Sequence, residues 1–80
     1  MPRQGERFVY HVTPDASGES WIVTLENGNL RRAFDTKEAA EKFAKYRARL
    51  NQLSQVKVHR QDGTMDYESA YGEDPRNISG

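Results

Sequence analysis

The chain of 80 residues contains no cysteine, which excludes disulfide bridges, zinc sites built on cysteine and thiol catalysis. Apolar residues are scarce as well: only 35% of the chain is hydrophobic, and no apolar run approaches the roughly 18 residues of a membrane span. Residues 1–6 contain no apolar stretch of the kind that a signal peptide carries. These absences predict a small cytoplasmic protein with no membrane partner.

An excess of charge of one sign is also missing, because 12 basic residues balance 12 acidic ones. A strongly basic chain would have indicated nucleic acid or an anionic membrane as the partner. The charges are nevertheless uneven, since residues 27–60 carry nine basic and three acidic residues. This bias fits either a solvated helix with many basic residues or a basic central surface flanked by acidic ends.

The hydrophobic pattern predicts five strands and one helix in the order β-β-β-α-β-β. The predicted strands cover residues 7–13, 20–26, 29–34, 55–60 and 64–68, the last continuing toward Tyr71. We expect a single α+β domain over residues 7–72, with an antiparallel-rich sheet and one amphipathic helix packed on one face. Residues 1–6 and 73–80 are expected to be flexible termini. A right-handed crossover that returns the fourth strand beside the first gives the strand order 3-2-1-4-5.

Two hairpins are predicted by Asn27-Gly28 and Asp62-Gly63. A two-residue turn at Asn27-Gly28 places Trp21 opposite Phe34 and Val23 opposite Arg32 on the face that packs on the core. Arg32 is a misfit there, and we expect it to lie near an edge and extend its charged end to water. After the second turn, alternation predicts that Met65 and Tyr67 point inward.

The helix begins at Asp35 or Thr36, either of which fits the N-cap. It is predicted to end between Asn51 and Ser54. Helical spacing predicts a core-facing stripe, flanked by Ala44 and Tyr46, that consists of Ala39, Ala40, Phe43, Arg47, Leu50 and Leu53.

Five short segments together resemble the small prokaryotic domain-of-unknown-function family 2188. They are Tyr10-His11-Val12-Thr13-Pro14, Trp21-x-Val23, Asp35-Thr36-Lys37-x-x-Ala40, Val58-His59-Arg60-x-Asp62-Gly63 and Tyr71-Gly72-x-Asp74-Pro75. The resemblance covers about residues 8–75 and implies a fold but no activity. Residues 31–34 depart from it, because they read Arg-Arg-Ala-Phe where such proteins often have small polar residues.

A second resemblance covers only about residues 20–45. Trp21-x-Val23, a hairpin and Arg31-Arg32-x-Phe34-x-Thr36-Lys37-x-x-Ala40 are similar to the arm-binding domain of tyrosine integrases. In that family three strands and a helix form the domain, and the exposed sheet face binds the major groove of DNA. The resemblance implies DNA binding by the outer face of the sheet.

The sequence offers no constellation for catalysis, a metal or a cofactor. His11 and His59 are the only histidines, and both point outward, where they would approach each other if the first and fourth strands are neighbours. Two histidines without a third ligand make a poor zinc site. The serines lack a nucleophile motif, and Gly28 and Gly63 belong to hairpins rather than to a phosphate loop. We therefore expect no enzymatic activity, no metal and no cofactor.

The outer face of the sheet is the strongest functional candidate, because alternation places cations on it with Glu26 as the one acidic neighbour. Such a face tracks phosphate groups in a salt-dependent manner, although it lacks the aromatic residues on which bases stack. The candidate nucleic-acid contacts are Thr24, Arg31, Lys57, His59 and Arg60. The alternative is a protein-interaction or accessory module, either a monomer or a homodimer joined through a sheet edge.

Overall fold

The computed structural model describes residues 8–51 and 53–72. They form β1 Phe8–Pro14, β2 Trp21–Leu25, β3 Arg31–Phe34, α1 Lys37–Leu50, β4 Ser54–His59 and β5 Met65–Tyr71. The predicted order β-β-β-α-β-β and the α+β class are confirmed. The predicted flexible termini, 1–6 and 73–80, lie outside the described residues, and the domain bounds 7–72 stay a prediction.

The five strands make one sheet in the order β3-β2-β1-β4-β5, as predicted. Neighbouring strands are antiparallel except β1 and β4, which run parallel. The sheet is therefore mixed, with three antiparallel pairs and one parallel pair. The parallel pair follows from α1, since parallel neighbours require a long crossover and a helix usually supplies it.

The core lies between α1 and one face of the sheet. Its buried residues are Tyr10, Val12, Trp21, Val23, Ala40, Ala44, Ala48, Val56 and Val58. The three alanines recur every four residues, so small side chains form the contact stripe of the helix. With so little side chain between them, the helix backbone can lie close to the valine-rich face of the sheet.

Of the core-facing stripe predicted for the helix, Ala40 is buried as expected, but the remaining members are rotated away from the closest contact with the sheet. Ala39 is exposed, and so is Leu50, at 63%. Phe43 and Arg47 are only half-buried, on one flank of the alanine stripe. The alanines occupy the closest contact because larger side chains there would hold the helix away from the sheet. Leu53 lies beyond the helix with a positive φ of 59°.

Both ends of α1 are held by specific hydrogen bonds. Thr36 is the N-cap, since its Oγ1 accepts a hydrogen bond from the Ala39 N–H at 3.1 Å. At the other end, Asn51 Nδ2 donates to the Arg47 carbonyl and to the Tyr10 hydroxyl, each at 2.9 Å. The second bond ties the C-terminus of the helix to β1.

The first hairpin has the predicted register and a different turn. Trp21 pairs with Phe34 and Val23 with Arg32, but the Gly28 N–H donates to the Leu25 carbonyl at 3.0 Å. The turn is therefore centred on Glu26 and Asn27, and Asn27 has the positive φ of 61°. Gly28 lies close to the side chain of Leu25, since a Cβ on it would lie 2.7 Å from Leu25 Cδ2.

A β-bulge in the second hairpin makes the inward prediction for Met65 wrong. The pairing shifts between Val58 and His59, so that Met65 lies opposite His59 on the outer face and is 39% exposed. The extra residue is Asp66, whose carboxylate accepts a hydrogen bond from Lys37 Nζ at 2.7 Å. Tyr67 does point toward the helix, as predicted, since it pairs with the core residue Val58 and its hydroxyl donates a hydrogen bond to Glu41 of α1.

Candidate functional site

We call the side of the sheet that faces away from α1 the open face. The helix packs against β1, β2, β3 and β4 on the other side, and no described element forms a layer over this one. The strand registers assign to the open face Val9, His11, Thr13, Ile22, Thr24, Arg31, Ala33, Gln55, Lys57, His59, Met65, Glu68 and Ala70. Its side chains are mostly polar or small, as is usual for a solvated sheet face, and Ile22 within it is only 6% exposed.

A row of polar residues crosses the middle of the open face. Arg31 pairs with Thr24, Thr24 with His11, and His11 with Lys57. Lys57 then pairs with Glu68 on the edge strand. Since neighbouring strands lie about 4.8 Å apart, the backbones at Arg31 and Lys57 are about 14 Å apart. We call these five residues the central row.

Two carboxylates moderate the positive charge of the open face. Glu26 Oε1 accepts a hydrogen bond from His11 Nε2 at 2.9 Å. This bond is the main cause of the lowered pKa of Glu26, and the charge of Lys57 lowers it further. Glu68 lies directly opposite Lys57, so the prediction that Glu26 is the one acidic residue here is wrong. The face therefore carries mixed charge.

The two histidines lie side by side, as expected once β1 and β4 are neighbours. The ring centroids of His11 and His59 are 5.8 Å apart. His59 Nδ1 lies 3.3 Å from the Gly63 carbonyl, while its Nε2 is buried and has no partner among the described residues. In residues 8–51 and 53–72, no group of three or more histidine or acidic side chains is arranged to hold a metal ion.

Four of the five predicted contact residues lie on the open face. Thr24, Arg31 and Lys57 belong to the central row, and His59 lies beside it. Arg60 does not join them, because its Nη1 donates to the Met65 carbonyl at 2.9 Å and its Nη2 lies 3.9 Å from Asp66. The β4–β5 hairpin thus engages the Arg60 guanidinium.

His11 was not among the predicted contacts, although it occupies the middle of the central row. The signal was present in the sequence, because strand alternation already placed His11 outward. The central position of His11 in the row depends on the place of β1 in the sheet, where it has a partner strand on each side.

A second cationic cluster, also missed from sequence, lies where β3 meets the helix. Arg32 Cζ is 5.0 Å from the centre of the Phe43 ring and 5.4 Å from that of Phe34. Arg47 Cζ is 5.9 Å from the centre of Phe43. The two rings are 5.2 Å apart. We call these four residues the arginine–phenylalanine cluster, and its contacts have the geometry of cation–π interactions.

The expectation that Arg32 extends to water near an edge is confirmed, since it is exposed on the edge strand β3.

Across the described residues, no helix has both the length and the apolar character needed to span a membrane. The cytoplasmic location stays a prediction.

Comparison with protein families matches residues 10–71 to a model described as an uncharacterized protein conserved in bacteria (DUF2188). The match confirms the sequence resemblance to that family over more than half of the chain. Comparisons with curated proteins and with solved structures found no match. The resemblance to integrase arm-binding domains stays a prediction.

Proposed function

This chain belongs to the DUF2188 family of uncharacterised bacterial proteins, and we propose that it is a non-enzymatic module that binds nucleic acid through its open face. One observation carries the proposal. The central row aligns Arg31, Thr24, His11 and Lys57 across four adjacent strands, on a side of the sheet without a covering layer among the described elements. Cations and hydrogen-bond donors in a line are suited to the phosphates of a nucleic-acid backbone.

The two permanent cations of the row are available to a ligand. Within the described part of the chain, neither Arg31 nor Lys57 forms a salt bridge. Carboxylates are near both ends of the row, however. The pKa of Asp15 is lowered chiefly by a hydrogen bond from Ser17 and in smaller part by the charge of Arg31. We therefore expect modest affinity that falls steeply as salt rises.

The composition of the open face favours a duplex over a single strand. Among its described residues the open face has no Phe, Tyr or Trp, so a single strand would find only the imidazole rings of His11 and His59 on which to stack its bases. The distance of about 14 Å between the backbones of Arg31 and Lys57 is comparable with the width of about 12 Å of the major groove. Backbone contacts across a groove are the mode of binding that this spacing supports.

The direct test combines Arg31→Glu with Lys57→Glu and measures binding to a mixed-sequence duplex by fluorescence anisotropy. Binding should be lost at about 50 mM salt, where phosphate contacts are strong. The fold should remain, because Arg31 is exposed and the like-charge pair that Lys57→Glu forms with Glu68 should cost about 1 kcal/mol or less. Each lost phosphate contact should also reduce the slope of log affinity against log salt by about one.

The matched control is Lys42→Glu with Arg49→Glu, which makes the same change of charge on the exposed side of α1. This pair should retain most of the binding. If the control pair abolishes binding and the sheet pair does not, the open face is not the binding surface. If the unmodified domain fails to bind duplex at about 50 mM salt, the nucleic-acid proposal is overturned.

A protein-interaction module is the second candidate, and exposed apolar side chains on α1 favour it. Tyr46 is 57% and Leu50 63% exposed, one helical turn apart, with Lys42 and Arg49 on the same side of the helix. Aromatic residues and arginine are enriched at protein interfaces, which fits Tyr46 and Arg49. Under this function, Tyr46→Ser with Leu50→Ser should abolish self-association in sedimentation or capture of a partner, and should leave duplex binding unchanged.

A further inference from the structure

The arginine–phenylalanine cluster joins two guanidinium groups from different elements on one ring. Arg32 comes from the edge strand β3 and Arg47 from α1. Both Cζ atoms lie within cation–π distance of Phe43, at 5.0 Å and 5.9 Å. The two Cζ atoms therefore lie no more than about 11 Å apart, the sum of these two distances, and the repulsion between two like charges within that range would be offset by an anion bound to both.

Neither arginine has an acidic partner in the described part of the chain. No salt bridge to Arg32 or Arg47 occurs among residues 8–51 and 53–72. Arg47 Nε is moreover buried and finds no acceptor among those residues. A charged donor that has lost its water and gained no acceptor is destabilising. An anion bound to the Nη atoms of Arg47 would offset the free-energy cost of burying its Nε. The same anion would offset the repulsion between Arg47 and Arg32.

The geometry favours phosphate over a carboxylate. A guanidinium is a planar fork of donors that pairs with two oxygens, and stacking on an aromatic ring fixes the plane of the fork. One arginine is sufficient for a carboxylate, whereas a phosphate has enough oxygens for two forks. We propose that Arg32 and Arg47, both held against Phe43, form a binding site for a phosphate group at the junction of β3 and α1.

This site is separate from the one proposed on the open face. Arg32 pairs with Val23 and therefore lies on the helix side of the sheet, whereas its neighbour Arg31 pairs with Thr24 on the open face. The phosphate could belong to free phosphate, to a small phosphomonoester or to a phosphodiester backbone. These ligands share the oxygens that the two forks recognise, and they differ in charge and in the number of free oxygens.

The test follows the Nε–H resonances of the full chain by NMR while sodium phosphate replaces sodium chloride at constant ionic strength. Saturable shifts are expected at Arg32 and Arg47 in the millimolar range. Arg47→Gln should weaken phosphate binding about tenfold or more, since a hydrogen-bonded charged partner is lost. Arg47→Lys keeps the charge without the fork and should also weaken binding. Sodium acetate should give no comparable saturation.

Lys42→Gln is the matched control, because it removes a cation from the exposed side of the same helix and should leave the phosphate response unchanged. The amide spectrum reports whether each variant is folded, and Arg47→Lys replaces Arg47→Gln if the latter unfolds. Absence of saturation overturns the site. The site is also overturned if a folded Arg47 variant binds phosphate with the same affinity as the unmodified chain. It is overturned as well if acetate binds as strongly as phosphate.

Two further ligands identify the source of the phosphate. Tighter binding of adenosine monophosphate than of a dinucleotide assigns the site to a small phosphomonoester, and the reverse assigns it to a nucleic-acid backbone. Both results uphold the site. Arg31→Glu with Lys57→Glu should leave the phosphate titration intact, so failure on the open face and failure of this site can be told apart.

Discussion

The two sides of the sheet hold their charged residues in different settings. On the open face, cations alternate with polar residues and have carboxylates close by, as where Lys57 lies opposite Glu68 and His11 bonds Glu26. On the helix side, charged residues stay at the margins of an apolar core. Because each cation of the open face has a carboxylate nearby, this face is nearly balanced in charge. An anionic ligand that binds there must compete with the carboxylates of the protein.

The two flanks of α1 also differ in whether a carboxylate lies close to their cations. On the β5 flank, Lys45 Nζ lies 5.0 Å from the ring centre of Tyr67, whose hydroxyl donates to Glu41 at 2.7 Å. Burial is the main cause of the raised pKa of Tyr67. For Lys45, a hydrogen bond between its ammonium group and the Tyr67 hydroxyl is the main cause of the raised pKa. The β3 flank has cations on aromatic rings as well, but no described carboxylate pairs with Arg32 or Arg47. Among the described residues, the β5 flank thus has a carboxylate, Glu41, close to its cation, and the β3 flank has none.

The largest expected effect is on the helix side of the sheet. Trp21 is 9% exposed in the core, so Trp21→Ala should destabilise the fold by about 3–5 kcal/mol. Because a small domain has only about 5–15 kcal/mol in total, the variant should be largely unfolded in urea titrations followed by circular dichroism. Met65→Ala on the open face is the comparison and should cost about 0.5 kcal/mol or less. Equal losses at the two positions would contradict the assignment of the core.

A smaller effect tests how closely the helix lies on the sheet. Ala44 is fully buried in the alanine stripe, so Ala44→Leu should overpack the contact and cost about 1–3 kcal/mol. Ala70→Leu makes the same change at an exposed position of the open face and should alter stability by about 0.5 kcal/mol or less. If Ala44→Leu shifts the urea midpoint no more than Ala70→Leu does, the space between α1 and the sheet is large enough for a leucine side chain.

Much of this fold could be predicted from the sequence because local patterns determine it. Alternation in β2 and β3 and a turn near Asn27 fix the pairing of Trp21 with Phe34, even though the turn itself is centred one residue earlier than expected. The strand order follows from chain connectivity, since one helix of 14 residues is enough to return β4 beside β1.

The parts that escaped prediction depend on contacts between distant residues. Nothing in the alternation of residues 64–71 reveals the bulge at Asp66, which is held by Lys37 from the start of the helix. The rotation of α1 follows from the closeness of helix and sheet, which periodicity alone does not give. Arg32 and Arg47 are 15 positions apart in the sequence, and the packing of Phe43 against Phe34 lets both lie against the Phe43 ring.

The smallest expected effect concerns the carboxylate at the end of the central row. Glu68→Gln removes the negative charge opposite Lys57 and should change stability by about 0.5 kcal/mol or less. If the open face binds duplex, affinity should rise about twofold, because Lys57 then meets the phosphates without a competing anion. Glu38→Gln makes the same change of charge on exposed α1 and should leave anisotropy titrations unchanged. An equal gain from both variants would mean that net charge, rather than the central row, governs binding.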